Sequence, residues 1–167
     1  MTNYRIKLLA ILMSAVFLSN NSQSQQPLQD IKTTINVFVP EADVKAVTEV
    51  LDTFIVYFRQ PLKENLEKHL STYLFPHVRI ASGAVSITPV ADSISAETWL
   101  AKLPSDWDHS AWVSRDIVQA SPLKIHVLTV FRRFRKDNTV IADEHSLYIL
   151  EKVNGKWGIR GRSSFAK

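Results

Sequence analysis

From Glu41 onward, apolar side chains recur every three or four positions at Val44, Val47, Val50, Leu51, Phe54, Ile55 and Phe58. Lys45, Glu49, Asp52 and Arg59 take the other side. That period predicts an amphipathic helix, opened at Pro40 or Asp43 and stopped by Pro61. A second, shorter helix carries Leu62, Leu66, Leu70 and Tyr73 on one face and ends before Phe75-Pro76. His69 sits among its charges and is assigned to the surface. Residues 77–90 alternate around Ser82-Gly83 and predict a small hairpin, with His77 at an edge or rim. Residues 93–103 read as a third short helix, capped by Ser93 or Ser95 and closed by Pro104.

The pattern then changes. Residues 110–119, 123–135, 139–153 and 157–165 are β-rich runs separated by Ser-Pro, Asp-Asn and Asn-Gly turns, Asn154-Gly155 being the strongest hairpin signal. Helices first and a meander last predict an α+β domain. Its N-terminal helices pack on the concave face of a strongly curved antiparallel sheet, a cone with a cavity at its open end. No fixed-period repeat interrupts this order.

Two-residue turns lay out the faces, because side chains alternate along each strand. The expected pairs are Leu150 with Ile159, Ser146 with Ser163, Glu144 with Phe165, Phe131 with Glu144 and Val127 with Tyr148. One face then holds Ile125, Val127, Thr129, Phe131, Val140, Ala142, Glu144, Ser146, Tyr148, Leu150, Trp157, Ile159, Ser163 and Phe165, and is assigned to the helix side. The other holds His126, Leu128, Val130, Arg132, Phe134, Asp143, His145, Leu147, Ile149, Arg160 and Arg162, and is wet or a subunit interface. Glu144 facing an apolar interior must be paired, protonated or solvated. A bulge between Asp137 and Glu144 would turn it outward. In the run 110–119, a tight turn puts Trp112, Ser114 and Asp116 inside, whereas a bulge puts Val113, Arg115 and Ile117 there. Trp112 is taken as inward, and Asp116 beside it would be a second carboxylate able to share acid and base work.

Composition narrows the chemistry. The 167 residues include no cysteine, so disulfides, thiol nucleophiles and cysteine-based zinc sites are excluded. At the N-terminus Arg5 and Lys7 precede an eleven-residue run, 8–18, with only Ser14 polar, and Ser22 and Ser24 stand at −3 and −1 to a cleavage point before Gln25. Residues 1–24 therefore read as a secretory signal, 25–40 as a linker with a short extended piece at 35–39, and 41–167 as the domain. The address is periplasmic or secreted, with no membrane association after removal of the signal. The chain has 20 basic and 16 acidic residues, and losing Arg5 and Lys7 leaves 18 against 16. Near-neutrality and export argue against nucleic acid as a partner, despite the cations interleaved with aromatics at Phe131-Arg132-Arg133-Phe134.

Asp106-Trp107-Asp108-His109-Ser110 lacks the partners for a metal site and reads as a loop at the sheet entrance, with His109 at a pocket mouth. Phosphate loops, dinucleotide fingerprints and nucleophile elbows are absent from the sequence, and no cofactor is implied.

The amphipathic helix ending in Tyr57-Phe58, the strand His77-Val78-Arg79-Ile80 and the segment Trp107-Asp108-His109-Ser110 together resemble the SnoaL-like branch of the nuclear-transport-factor-2-like superfamily. So do the closing segments Ser146-Leu147-Tyr148-Ile149-Leu150, Asn154-Gly155-Lys156-Trp157-Gly158-Ile159 and Arg162-Ser163-Ser164-Phe165. The resemblance covers residues 41–166. It implies a cone-shaped domain with a pocket between helices and sheet, often a homodimer through the sheet. Members include ketosteroid isomerase, polyketide cyclases, dehydratases and epoxide hydrolases, whose catalytic sets have no residue-by-residue match here.

Three functions follow as expectations. The first is an exported domain binding a small apolar molecule in a pocket of Phe54, Tyr57, Trp99, Trp112, Thr129, Phe131, Ser146 and Ser163. The second is a cofactor-free isomerase, dehydratase or cyclase. In it Glu144 or Asp116 is the base, Tyr148 or Tyr57 the oxyanion donor, and His109 a second proton carrier. The third is a structural or partner-binding dimer using the face with His126, Arg132, His145, Arg160 and Arg162.

Overall fold

The computed structural model describes residues 39–165. The signal and most of the linker expected at 1–38 lie outside the described residues. Helix α1 spans Glu41–Tyr57 and α2 spans Leu62–Leu70. Strand β1 is Tyr73–Ala81 and β2 is Ala84–Thr88, joined at Ser82-Gly83, both at positive φ. A single 3-10 turn at Ala91–Ser93 leads to helix α3, Ala96–Leu100. Strands β3 (His109–Ser121), β4 (Lys124–Phe134), β5 (Val140–Val153) and β6 (Lys156–Ser164) complete the chain.

Two elements are shorter than their sequence signals. Tyr73 belongs to β1 and not to the second helix. The third helix is little more than one turn: Ser95 caps its start by a reciprocal box with Thr98, and Ala101 closes it.

The strands form one six-stranded sheet in the order β2-β1-β6-β5-β4-β3. The meander is antiparallel as expected, but β1 runs parallel to β6, so the sheet is mixed. That pairing seats the end of the chain in the middle of the sheet, between β5 and the first hairpin. The helices cover one face. Val47, Leu51, Phe54 and Ile55 of α1 bury against Ile125, Val127, Phe131, Tyr148, Leu150, Trp157 and Ile159. Two polar ties fix α1 on the sheet. The Asp43 carboxylate accepts from Trp157 Nε1 at 2.9 Å and Lys152 Nζ at 2.8 Å, and Trp112 Nε1 donates to the Leu51 carbonyl at 3.1 Å.

Register decides the faces. At the Asp137-Asn138 turn the loop is longer than two residues, closed by Arg135 N–H on the Thr139 carbonyl, and Ile141 is bulged. The two offsets cancel, so Phe131 still pairs with Glu144 and Glu144 points inward. In β3 two bulges occur, at Val113 and Val118. Trp112 is inward before the first. After it Arg115 and Ile117 share the parity of Thr129 and Val127, so Ser114 and Asp116 face outward. In β6, Leu150 pairs with Ile159 but Ile149 pairs with Gly161, leaving Arg160 as the extra residue. Every later position flips. Arg162 and Ser164 turn inward, Ser163 turns outward and Phe165 is 89% exposed, reversing the expected assignments.

Gly161 marks the crossing of β6 and β1. A Cβ there would stand 3.1 Å from the Val78 carbonyl oxygen. Gly161→Val is therefore expected to destabilise the domain by about 1–3 kcal/mol through overpacking. Urea unfolding checks this, and an unchanged midpoint would contradict the close approach.

Candidate functional site

The site lies where the inner face of the sheet runs out from under α1. A cavity of about 90 Å³ there is lined by Phe54 of α1 and Phe58 just after it, by Tyr73, His77 and Arg79 of β1, by Trp99 of α3 and by Phe131, Arg133 and Arg162 of β4 and β6. Ser86, Thr88, Ile94, Lys102 and Leu103 complete the lining. Alternation along β1 delivers Tyr73, His77 and Arg79 to one side, and the β6 bulge delivers Arg162 beside them. Arg79 and Arg162 are direct register partners across the parallel pair.

The aromatic wall is held by one buried imidazole. His69, fully buried, places Nδ1 2.9 Å from the Phe54 carbonyl oxygen and Nε2 3.2 Å from the Tyr73 hydroxyl. A carbonyl can only accept, so Nδ1 carries the proton and Nε2 accepts from Tyr73. Its ring packs against Phe54 at 4.3 Å, Trp99 at 4.9 Å and Phe58 at 5.2 Å. Burial drives the His69 pKa down to about 3 and raises that of the Tyr73 hydroxyl. His77, also buried, meets the Tyr73 ring edge-on at 4.4 Å and donates Nδ1–H to the Ile159 carbonyl at 3.3 Å. Burial, and then the nearby Arg162, Arg160 and Arg79 charges, lower its pKa to about 4. Both imidazoles are neutral at pH 7. The placement of His69 at the surface and of His77 at an edge is thus corrected: His69 follows Leu62 and Leu66 at helical spacing, and β6 covers β1.

The cavity is more cationic than the apolar pocket expected. Arg162 Nη1 donates to the Tyr148 hydroxyl at 3.1 Å, and its guanidinium stands 5.6 Å from the Tyr148 ring centre. Arg133 pairs through Nη1 with Glu144 Oε1 at 3.0 Å, while its buried Nε has no hydrogen-bond partner among the described residues. Among the described residues no carboxylate lines the cavity.

Of the proposed ligand contacts, Phe54, Trp99 and Phe131 line this space. Trp112 stacks on Phe54 at 6.0 Å but backs the wall from behind. Thr129 and Ser146 are buried and hydrogen-bonded within the sheet, Thr129 Oγ1 to the Ser146 carbonyl and Ser146 Oγ to Ser164 Oγ. Tyr57 is half-buried and does not line the cavity, and Ser163 is exposed.

The proposed catalytic residues do not converge. Asp116 is exposed on the outer face, and Glu144 is occupied by Arg133. Tyr148 is sealed in the core beneath Arg162. His109 lies on Phe134 at 4.9 Å with Nδ1 2.8 Å from Asp108, away from the cavity. Arg162, assigned to the outer face, is inward. Arg79, Arg133, His77 and Phe58 were not singled out for the site. Gly161 inside a strand was the available signal for the bulge that turns Arg162.

The neutral imidazole makes a testable demand on stability. His69 binds a proton in the unfolded chain near its ordinary pKa of 6.5 but in the folded one only near 3. Its contribution is complete above pH 6.5 and is lost as pH falls, by about 2 kcal/mol at pH 5. The His69→Asn variant is expected to be less stable at pH 7.5, with a shallower loss between pH 7 and 5. Urea unfolding at several pH values tests this, and parallel slopes for the two proteins would refute it.

Comparison with known proteins locates the fold. No family model and no curated protein sequence matches the chain. Among solved structures it is similar to a protein of unknown function with a cystatin-like fold from Nostoc punctiforme PCC 73102, at 13% identity and TM-score 0.63, covering 78% of this chain and 96% of that one. It is similar to an NTF-2 like protein of unknown function from Shewanella oneidensis MR-1 at 13% identity and TM-score 0.58, covering 74% and 98%. A ketosteroid isomerase-like protein from Erwinia carotovora atroseptica SCRI1043 matches at 16% identity and TM-score 0.57, covering 75% and 97%. None of the three singles out the SnoaL-like branch. At such identities the likeness is one of fold, and the chain has the α+β cone fold of the nuclear-transport-factor-2-like and ketosteroid-isomerase-like proteins.

Proposed function

We propose that this is a small-molecule-binding domain that acts after export, holding its guest in the cavity between α1, α3 and the sheet. One observation carries the reading. The wall of Phe54, Phe58, Trp99 and Tyr73 is pinned by the His69 hydrogen bonds before any guest arrives. A pre-formed aromatic cavity with a few convergent polar groups is how small-molecule sites are usually built, and rigidity lowers the ordering cost of binding. The volume, about 90 Å³, is below the roughly 150 Å³ of an apolar cavity that admits benzene. A single-ring guest would therefore reach into the opening.

Binding is favoured over carboxylate-based proton transfer because no carboxylate among the described residues lines the cavity. Glu144 is neutralised by Arg133 and Asp116 faces away. Export is supported by Arg5, Lys7 and the apolar run 8–18.

Native mass spectrometry of the protein recovered from an exporting bacterium tests both parts. A retained small molecule is expected, on a chain whose mass corresponds to residues 25–167. Trp99→Ala removes the α3 side of the wall and should cut occupancy at least tenfold, about 1.4 kcal/mol or more. Occupancy unchanged in that variant would reject this cavity as the site.

A further inference from the structure

Resting on that binding reading, we propose that the guest is a small organic carboxylate. Its anionic head meets Arg79, Arg133 and Arg162, and its apolar body lies against Phe58 and Trp99. Three guanidiniums converge on one cavity, and among the described residues only one carboxylate, Glu144, is paired with any of them. Arg79 and Arg162 stand directly opposite each other on neighbouring strands, an arrangement of like charges that destabilises a sheet. The hydrogen bond Arg162 donates to Tyr148 goes to a neutral hydroxyl, which balances no charge.

Arg133 adds an independent sign. Its side chain is 9% exposed, lines the cavity, and keeps a buried Nε–H with no acceptor among the described residues. An unsatisfied buried donor on a charged group is costly and leaves the Arg133 guanidinium only partly compensated by Glu144; a carboxylate in the cavity would offset that excess charge. Planar guanidiniums match a planar carboxylate in paired hydrogen bonds.

The opposite wall sets the rest of the guest. Phe58 and Trp99 meet edge-to-face at 5.8 Å and offer ring surface with no charge. Inorganic phosphate would use the guanidiniums and leave that surface empty, whereas a carboxylate on an aromatic or compact apolar body uses both. A cationic guest would face Arg79, Arg133, Arg162 and Lys102 together.

The experiment titrates the full chain with benzoate, benzyl alcohol, benzylamine and inorganic phosphate, followed by heteronuclear NMR. Benzoate should bind at least tenfold more tightly than benzyl alcohol, and benzylamine should not bind. Arg162→Gln should weaken benzoate tenfold or more and leave benzyl alcohol within about twofold, as expected when a charge-assisted hydrogen bond is removed. Arg79→Gln, on a less buried strand, gives the same comparison if the first variant does not fold. Benzyl alcohol binding as well as benzoate would overturn the carboxylate and leave the binding reading standing. Phosphate binding as tightly as benzoate would overturn the organic class. If no aromatic probe perturbs Trp99 or Phe58, the binding reading itself fails.

Discussion

The helix layer and the cavity depend on one neutral imidazole. Phe54 lies in the last turn of α1, where carbonyls lack intrahelical partners, and the Phe58 N–H that would reach it turns instead to the Ile55 carbonyl. His69 Nδ1–H fills that vacancy from α2, and its other nitrogen accepts the Tyr73 hydroxyl at the start of β1. A single ring thus ties the end of α1, α2 and the first strand. A proton on Nε2 would remove the acceptor and strand the Tyr73 hydroxyl in an apolar surround, so the clamp and its depressed basicity have the same cause.

Above that clamp, three local irregularities decide which side chains meet. The Ile141 bulge compensates the longer turn and keeps Glu144 beside Arg133. The Val113 bulge lets Trp112 reach Leu51 while sending Asp116 out. The Arg160 bulge turns Arg162 under the helices, next to Arg79. Since the side-chain period of a strand is two residues, each single insertion exchanges a whole face beyond it. The site is therefore built by departures from regular pairing and not by the pairing itself.

This explains how much could be read from the sequence. Helical spacing disclosed the buried stripe of α1, and Asn154-Gly155 disclosed the last hairpin with Leu150 opposite Ile159, because those signals are local. The parallel β1–β6 pair was illegible, since nothing near residue 73 records a partner at residue 159. Arg162 was misplaced because strict alternation was carried past Gly161. Arg133 was legible in phase, two residues after Phe131 on the same strand, although neither face was assigned to it. His69 was likewise in phase with Leu62 and Leu66. A polar residue in phase with apolar ones is buried where it has an interior partner such as Glu144 or the Phe54 carbonyl.

The division of the inner face reconciles a stable domain with a charged cavity. Beneath the body of α1, Ile125, Val127, Leu150 and Ile159 are fully or almost fully buried, and the dry part of the core is concentrated there. Toward the end of α1 the cover thins to Phe58 and the single turn of α3. There Tyr148 forms the boundary: its ring packs edge-on against Phe54 at 5.4 Å while its hydroxyl receives Arg162. Arg162 and Arg133 thus stand over the Tyr148 and Phe131 rings, an aromatic floor that favours cations over its face. Moved a few residues deeper, the same charges would lie under α1 without that floor. The sheet order that puts β6 between β1 and β5 sets that depth, and so joins the stability of the core to the charge of the site.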